Sequence, residues 1–266
     1  METPDVVNVH AIRLKGESFY VPECEIARNY EDVSPMFVYL EDLRLRPDAV
    51  LLDVGANIGI FSLSYARLYP QAEVYAFEPH PQTFDLLARS IELNKDVARR
   101  IHPFPVGLSN RQGISSLSMP QPAQHPRYDS AGHQINCGLF SIHGNGPEKI
   151  SCRLTTLDEF QTSESLTRID FIKIDVEGHE YEVLEGAQRT LMLHRPILFI
   201  EYNELTKTLS GHPMEEFESF FDRFGYRLYG VRYGWVRELK PLSNLRQTED
   251  VSDLVCFPKE GRLPDA

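Results

Sequence analysis

The chain of 266 residues is 42% hydrophobic and 25% charged, near the globular average and too apolar for a disordered polymer. Its 39 acidic residues outnumber 27 lysines and arginines, and the net charge of −12 repels phosphate backbones, which argues against nucleic acid as a partner. Cys24, Cys137, Cys152 and Cys256 form no C-x-x-C pair and read as thiols of a reducing compartment. The first residues lack a basic start with an apolar run, and no stretch reaches about 18 apolar residues, so a cytoplasmic protein without a membrane segment is expected.

Residues 1–48 read as an appendage: a hairpin turning near Gly16, then a helix capped by Ser34 with Pro35 at its first position. From Ala49 to the end, short apolar runs alternate with amphipathic stretches, the pattern of an α/β, doubly wound, mostly parallel sheet covered by helices. AVLLDVG at 49–55 is a buried strand, and Phe61, Ser64 and Leu68 then recur at helical spacing. EVYAFEP at 73–79 is the second strand, followed by a helix presenting Phe84, Leu87, Ala88 and Ile91, and IHPFPVGL at 101–108 holds the third. A loop insertion covers about 115–148, and its part from Met119 to Glu148 is rich in Pro, Gly and His without periodicity.

DFIKIDVEG at 170–178 is the fourth strand, leading into one helix that buries Leu184, Ala187 and Leu191 and stops at Arg195-Pro196. PILFIEYN at 196–203 is the fifth. A helix with Met214, Phe217, Phe221 and Phe224 on one face ends at Gly225, and YRLYGVR and LVCFPK close the sheet edge as an antiparallel pair. Tyr229, Tyr233 and Trp235 are candidates for stacking on a sugar ring, against the alternative of ordinary packing.

The first chemical motif is Asp53-Val-Gly55-Ala-Asn57-Ile-Gly59, at a strand-to-helix turn where glycines bare the backbone and a helix start offers N–H groups to an anion. Its G-x-x-x-G spacing departs from the G-x-G-x-x-G of nicotinamide binding, which argues against a dehydrogenase. Glu78, before Pro79, ends the second strand where a carboxylate accepts ribose hydroxyls. Asp53 has a second candidate role, ordering the loop through hydrogen bonds to backbone N–H groups.

The chain resembles the FkbM-type S-adenosylmethionine-dependent methyltransferases in LLDVGANIGIFSL, VYAFEPHPQTFDLL, TTLDEF, FIKIDVEGHEYEVLEGA and RPILFIEYNE, which span residues 50 to about 205 in that family's order. The resemblance implies a Rossmann-like, seven-stranded methyltransferase sheet with an antiparallel edge strand. It also implies S-adenosylmethionine as cofactor, held by Asp53, Gly55, Asn57, Gly59, Glu78 and Pro79, and O-methylation of a sugar, glycolipid or polyketide-like hydroxyl.

The segment Asp175-Val-Glu177-Gly178-His179-Glu180 follows a central strand, so Asp175 is expected to face the cofactor pocket. Methyl transfer to a hydroxyl requires collinear placement and removal of a proton. Glu177, His179 and Glu201 are the candidate bases, with Asp175 beside them. Glu180 and Glu177 have the alternative of complementing the positive start of the next helix, and Lys173 that of pairing with a neighbouring acid. Catechol-type methyltransferases place oxygen ligands at the same strand ends, which makes Asp175, Glu201 and Asn203 a candidate Mg²⁺ set.

The alternatives differ in class. An adenine-modifying enzyme usually carries D/N-P-P-Y/F where this chain has Asp175-Val-Glu-Gly, and a non-catalytic cofactor-binding or scaffold subunit would not need Glu177, His179 and Glu201 together.

Overall fold

The computed structural model describes residues 8–24, 26–33, 43, 45–119, 140–231, 239–245 and 253–259. The proposed helix at Ser34-Pro35, Tyr233, Trp235 and Cys137 lie outside them. Cys24, Cys152 and Cys256 are free thiols.

The hairpin is present as β1 (Val9–Leu14) and β2 (Glu17–Pro22), antiparallel, with Leu14 opposite Glu17 across a turn where Gly16 takes φ +85°. Its Ile12, Phe19 and Val21 share a buried cluster with Leu63 and Leu87 of the following helices. Asn94 clamps it to the body, accepting from the Tyr20 N–H at 3.1 Å and donating to the Tyr20 carbonyl at 2.6 Å. The hairpin thus closes one side of the core rather than hanging from it.

The main body alternates as its apolar runs require: β3 (Val50–Val54), α1 (Ile60–Leu68), β4 (Glu73–Phe77), α2 (Pro81–Leu93), β5 (Ile101–Phe104), and, after an excursion, β9 (Phe171–Ile174) and β10 (Ile197–Glu201). These five strands are parallel in the order β10-β9-β3-β4-β5. Successive residues bury on opposite faces: Leu51 packs with Val74 and Phe171, Leu52 with Ile172 and Leu198. Both faces are covered, which is why the strands are written as unbroken apolar runs.

The far edge differs from the expected seven strands with a reversed strand outermost. β13 (Asp253–Pro258) is the reversed strand, but it lies between β10 and β11 (Tyr226–Val231), antiparallel to both, and β12 (Leu239–Leu242) adds an eighth strand outside β11. The Tyr229 ring meets Phe257 edge-on at 5.3 Å, which is a packing contact.

Between β5 and β9 the chain builds a small sheet of β6 (Gly107–Leu108), β7 (Gly113–Leu117) and β8 (Ile150–Thr155), ordered β6-β8-β7. The insertion leaves from β7 and returns into β8, and reciprocal Ser118–Ser141 backbone bonds of 3.0 Å tie its base. Next comes α3 (Leu157–Ser163), opened by a capping box between Thr156 and Glu159. The single helix expected after β9 is two, α4 (Glu180–Glu185) and α5 (Gln188–His194). They part at Gly186, where a Cβ would stand 1.9 Å from the Ser109 carbonyl oxygen. Asp158 caps α5, accepting from the N–H groups of Arg189 at 2.9 Å and Thr190 at 2.7 Å. Two further helices, α6 (Glu204–Ser210) and α7 (Met214–Arg223), follow β10, and α7 buries Phe217, Phe220 and Phe221.

Candidate active site

Sheet growth reverses between β3 and β9, since β4 and β5 lie on one side and β10 on the other. At such a switch the loops leaving two parallel strands diverge and open a cleft beyond their carboxyl ends. The cleft here spans about 1240 Å³ including its open mouth, and Gly55, Asn57, Glu78, Pro79, Asp175, Glu177, His179 and Glu201 all line it.

In its floor, Lys173 of β9 is 2% exposed and its ammonium lies 3.3 Å from Asp53 Oδ1 and 3.1 Å from Asp175 Oδ2. It also donates to the Gly55 carbonyl at 3.0 Å and sits 4.6 Å from the centre of the Phe61 ring. Burial opposes its charge, but Asp175 and Asp53 outweigh it, and its pKa is raised. Asp53 is fully buried and accepts from Ser62 Oγ at 2.7 Å. It therefore orders the loop through Ser62 and Lys173, beneath the cleft rather than on its wall.

The loop itself needs both glycines. Gly55 has φ +79°, and a Cβ on it would lie 1.8 Å from the Asp175 carbonyl oxygen. Gly59 opens α1 at φ +93° and would strike Leu87 at 2.8 Å, so its demand is packing against α2. Glu78 is 8% exposed and braces the same loop: Oε2 accepts from the Asn57 N–H at 3.0 Å and Oε1 from the His80 N–H at 2.9 Å. Each carboxylate oxygen retains a further lone pair for a ligand donor. Burial pushes the Glu78 pKa up to about 7, against the pull of those N–H groups. His80 caps α2 through Thr83 and stacks on Phe140 at 4.1 Å, forming a flat wall of the cleft.

On the other side Glu177 takes φ +53° and Gly178 φ +97°, and a Cβ on Gly178 would stand 2.5 Å from Leu209 Cβ. Glu180, 1% exposed, clasps this turn by accepting from the N–H groups of Val176 and Gly178, both at 3.1 Å, while burial lifts its pKa to about 7. His179 is 6% exposed, with Nε2 3.0 Å from Ser109 Oγ and Nδ1 3.0 Å from His143 Nε2. Burial lowers its pKa to about 4.

Carboxylate oxygens of Asp175, Glu177 and Glu201 come within 4.8 Å of one another. Burial, then Asp175 and Glu177, raises the Glu201 pKa well above the ordinary carboxylate value. Glu201 Oε2 is shielded from solvent and makes no hydrogen bond. Asn203, expected beside Asp175 and Glu201 around Mg²⁺, is engaged with Glu201 and with its own helix start. Its amide nitrogen donates to Glu201 Oε1 at 2.7 Å, its amide oxygen accepts from the Thr206 N–H at 3.0 Å, and Asp175 is already paired with Lys173.

A family model described as the Methyltransferase FkbM domain matches residues 53–228. The chain belongs to the FkbM methyltransferase family. It is 29% identical over 205 residues to methyltransferase sdnD of Sordaria araneosa, covering 70% of this chain and 76% of that protein. Over 175 residues it is 32% identical to the hexuronic acid methyltransferase AglP of Haloferax volcanii, covering 61% of this chain and 62% of that one. A solved FkbM methyltransferase from Methylobacillus flagellatus shares the fold with TM-score 0.51 and 18% identity, over 84% of this chain and 47% of the other. The matched part is thus less than two thirds of the length of these last two proteins. Among the described residues no helix is long and apolar enough to cross a membrane.

Beyond the expected site residues, the structure brings Ser109, His143 and Glu182 to the site, the last of them inside the FIKIDVEGHEYEVLEGA segment. Ser109 lies just after the third expected strand, and Glu182 sits one helical turn beyond His179, a spacing that the sequence does display. His143 belongs to the insertion, where no periodicity fixes its position.

Proposed function

We propose that this chain transfers the methyl group of S-adenosylmethionine to a hydroxyl of a sugar, glycolipid or polyketide-like metabolite. The observation that carries the reading is the buried Glu78 carboxylate just after β4, which is bonded to the Asn57 N–H and lines the switch-point cleft together with the Gly55–Asn57 loop. A vicinal diol offers two donors to the two oxygens of Glu78, and the Gly55–Asn57 loop gives the amino-acid end of the cofactor close access to main chain. When bound, S-adenosylmethionine supplies an electrophilic methyl on a sulfonium. A sugar acceptor is supported by the hexuronic acid methyltransferase relative, and a hydroxyl as the reacting group by the acids grouped at the ends of β9 and β10, which can take its proton.

In this reading Glu201 Oε2 accepts the hydroxyl proton, Glu177 holds the acceptor and Asp175, fixed by Lys173, shapes the floor. His179, with both ring nitrogens engaged, positions the turn.

Calorimetric titration of S-adenosylmethionine into the wild type and Glu78→Ala tests the assignment. Loss of two charge-assisted hydrogen bonds, about 1.5–3 kcal/mol each before water replaces them, predicts at least a tenfold drop in affinity. Equal affinity in both proteins, or tighter binding of NAD than of S-adenosylmethionine, rejects it.

A further inference from the structure

A second constellation lies at the edge of the cleft, away from its carboxylates. His143 Nε2 stands 3.0 Å from His179 Nδ1, Glu182 Oε2 3.4 Å from that same Nδ1, and Glu182 Oε1 3.4 Å from His143 Nε2. In a tetrahedral zinc site with bonds of about 2.0–2.1 Å, ligand atoms stand about 3.3 Å apart. The observed separations lie close to that spacing, each histidine reaching a different oxygen of Glu182, and one donor atom from each of the three side chains falls within 4.8 Å of the other two.

Two further features favour a ligand set over a simple hydrogen-bonded cluster. Glu182 Oε2 is buried and makes no hydrogen bond, although His179 Nδ1 is 3.4 Å away, so the two groups aim beside each other rather than at each other. The remaining ring nitrogen of His179 lies 3.0 Å from Ser109 Oγ, the kind of outer contact that fixes the orientation of a ligating imidazole. His212 approaches Glu182 Oε1 from outside at 3.5 Å and is itself held by Glu216 at 2.6 Å.

We propose that His143, His179 and Glu182 bind a divalent transition-metal ion of the zinc class, with water in the fourth position. Two imidazoles and one carboxylate suit zinc far better than the hard, oxygen-seeking magnesium ion. The ion joins the returning end of the insertion, through His143, to the first turn of α4, and so sets the edge of the cleft that His179 lines. The proposal is independent of the cofactor assignment.

The test uses the full chain, stripped with chelator and returned to metal-free buffer, then titrated with Zn²⁺ by calorimetry and with Co²⁺ by absorption. One equivalent should bind with tetrahedral Co²⁺ bands, and affinity should fall at least about tenfold in His143→Gln and in Glu182→Gln. His10→Gln, in the N-terminal hairpin, should bind as the wild type does. No saturable binding by the wild type, or equal affinity in the wild type and both site variants, overturns the proposal. If a variant does not fold by circular dichroism, ring resonances of the wild type decide: Zn²⁺ must shift those of His143 and His179, and their constancy overturns it. Zinc binding without S-adenosylmethionine binding would leave this site standing while the proposed function fell.

Discussion

Gly55 and Asp175 meet backbone to backbone across the switch point, with the site of a Gly55 Cβ only 1.8 Å from the Asp175 carbonyl oxygen. Two loops that are far apart in sequence are thereby held at one separation, and that separation sets the width of the cleft floor. Gly55→Ala must push the loops apart and also place a side chain at φ +79°, a conformation costing about 1 kcal/mol or more for a residue with a Cβ. We expect a lower unfolding midpoint and at least a tenfold loss of S-adenosylmethionine affinity by calorimetry. Wild-type values for both would show that the contact yields without consequence.

Lys173 is the only described cation that pairs with both Asp53 and Asp175. Lys173→Met keeps the length of the stem but leaves Asp53 buried and uncompensated, a change that typically costs about 3–5 kcal/mol. Urea denaturation should show that loss, and the paired variant Lys173→Met with Asp53→Asn should recover part of it. A loss under about 1 kcal/mol in the single variant would mean that the pair is solvated and the burial argument fails.

Glu180 gives a pH signature of definite sign. Its folded-state pKa of about 7 lies above the ordinary 4.5, because burial favours the protonated carboxyl. Its contribution to stability is therefore fully present below the unfolded value and is lost as pH rises through about 7. Glu180→Gln retains an oxygen for the Val176 and Gly178 N–H groups without the charge. Stability measured by urea from about pH 5 to about pH 8 should decline less steeply in Glu180→Gln than in the wild type. Parallel curves would remove Glu180 from the account.

Much of this was legible because buried parallel strands write themselves as apolar runs and deliver their chemistry at the carboxyl end. The Asp53–Gly59 loop, Glu78 and the Asp175–Glu180 turn all fall there. Lys173 was legible too, since a cation inside an apolar strand has to find an acid. The small sheet was not: β7 exposes most of its residues, with Ile114 at 80%, so its pattern carries little burial signal. Nor was the break between α4 and α5, which is imposed on Gly186 by the distant Ser109 carbonyl. The role of Asn203 had a signal of another kind, since an Asn with a Thr three residues on at a helix start spells a cap, and the structure uses its side chain in that way.

The last prediction concerns the proton. Glu201 lies at the end of β10 with Oε2 unpaired, Asp175 and Glu177 close by, and its pKa held well above the carboxylate range by burial and by those two acids. A carboxylate of this kind is a stronger proton acceptor than an ordinary one, but only in the fraction of molecules in which it is ionised. The rate of methyl transfer should therefore rise with pH through an apparent pKa above the ordinary Glu value, and the rise should vanish in Glu201→Gln. Loss of a general base costs about 10² to 10⁴ in rate, so Glu201→Gln should lower kcat by that much while S-adenosylmethionine affinity stays within about twofold. Glu177→Gln should weaken acceptor binding and raise KM, with a smaller effect on kcat. His179→Gln should reduce both modestly, since each of its ring nitrogens already has a partner in Ser109 or His143. Comparing the three variants on one acceptor, across pH, separates these roles. A Glu201→Gln enzyme that keeps more than about a tenth of wild-type kcat, or a Glu177→Gln enzyme that alone loses the pH dependence, would move the proton to Glu177.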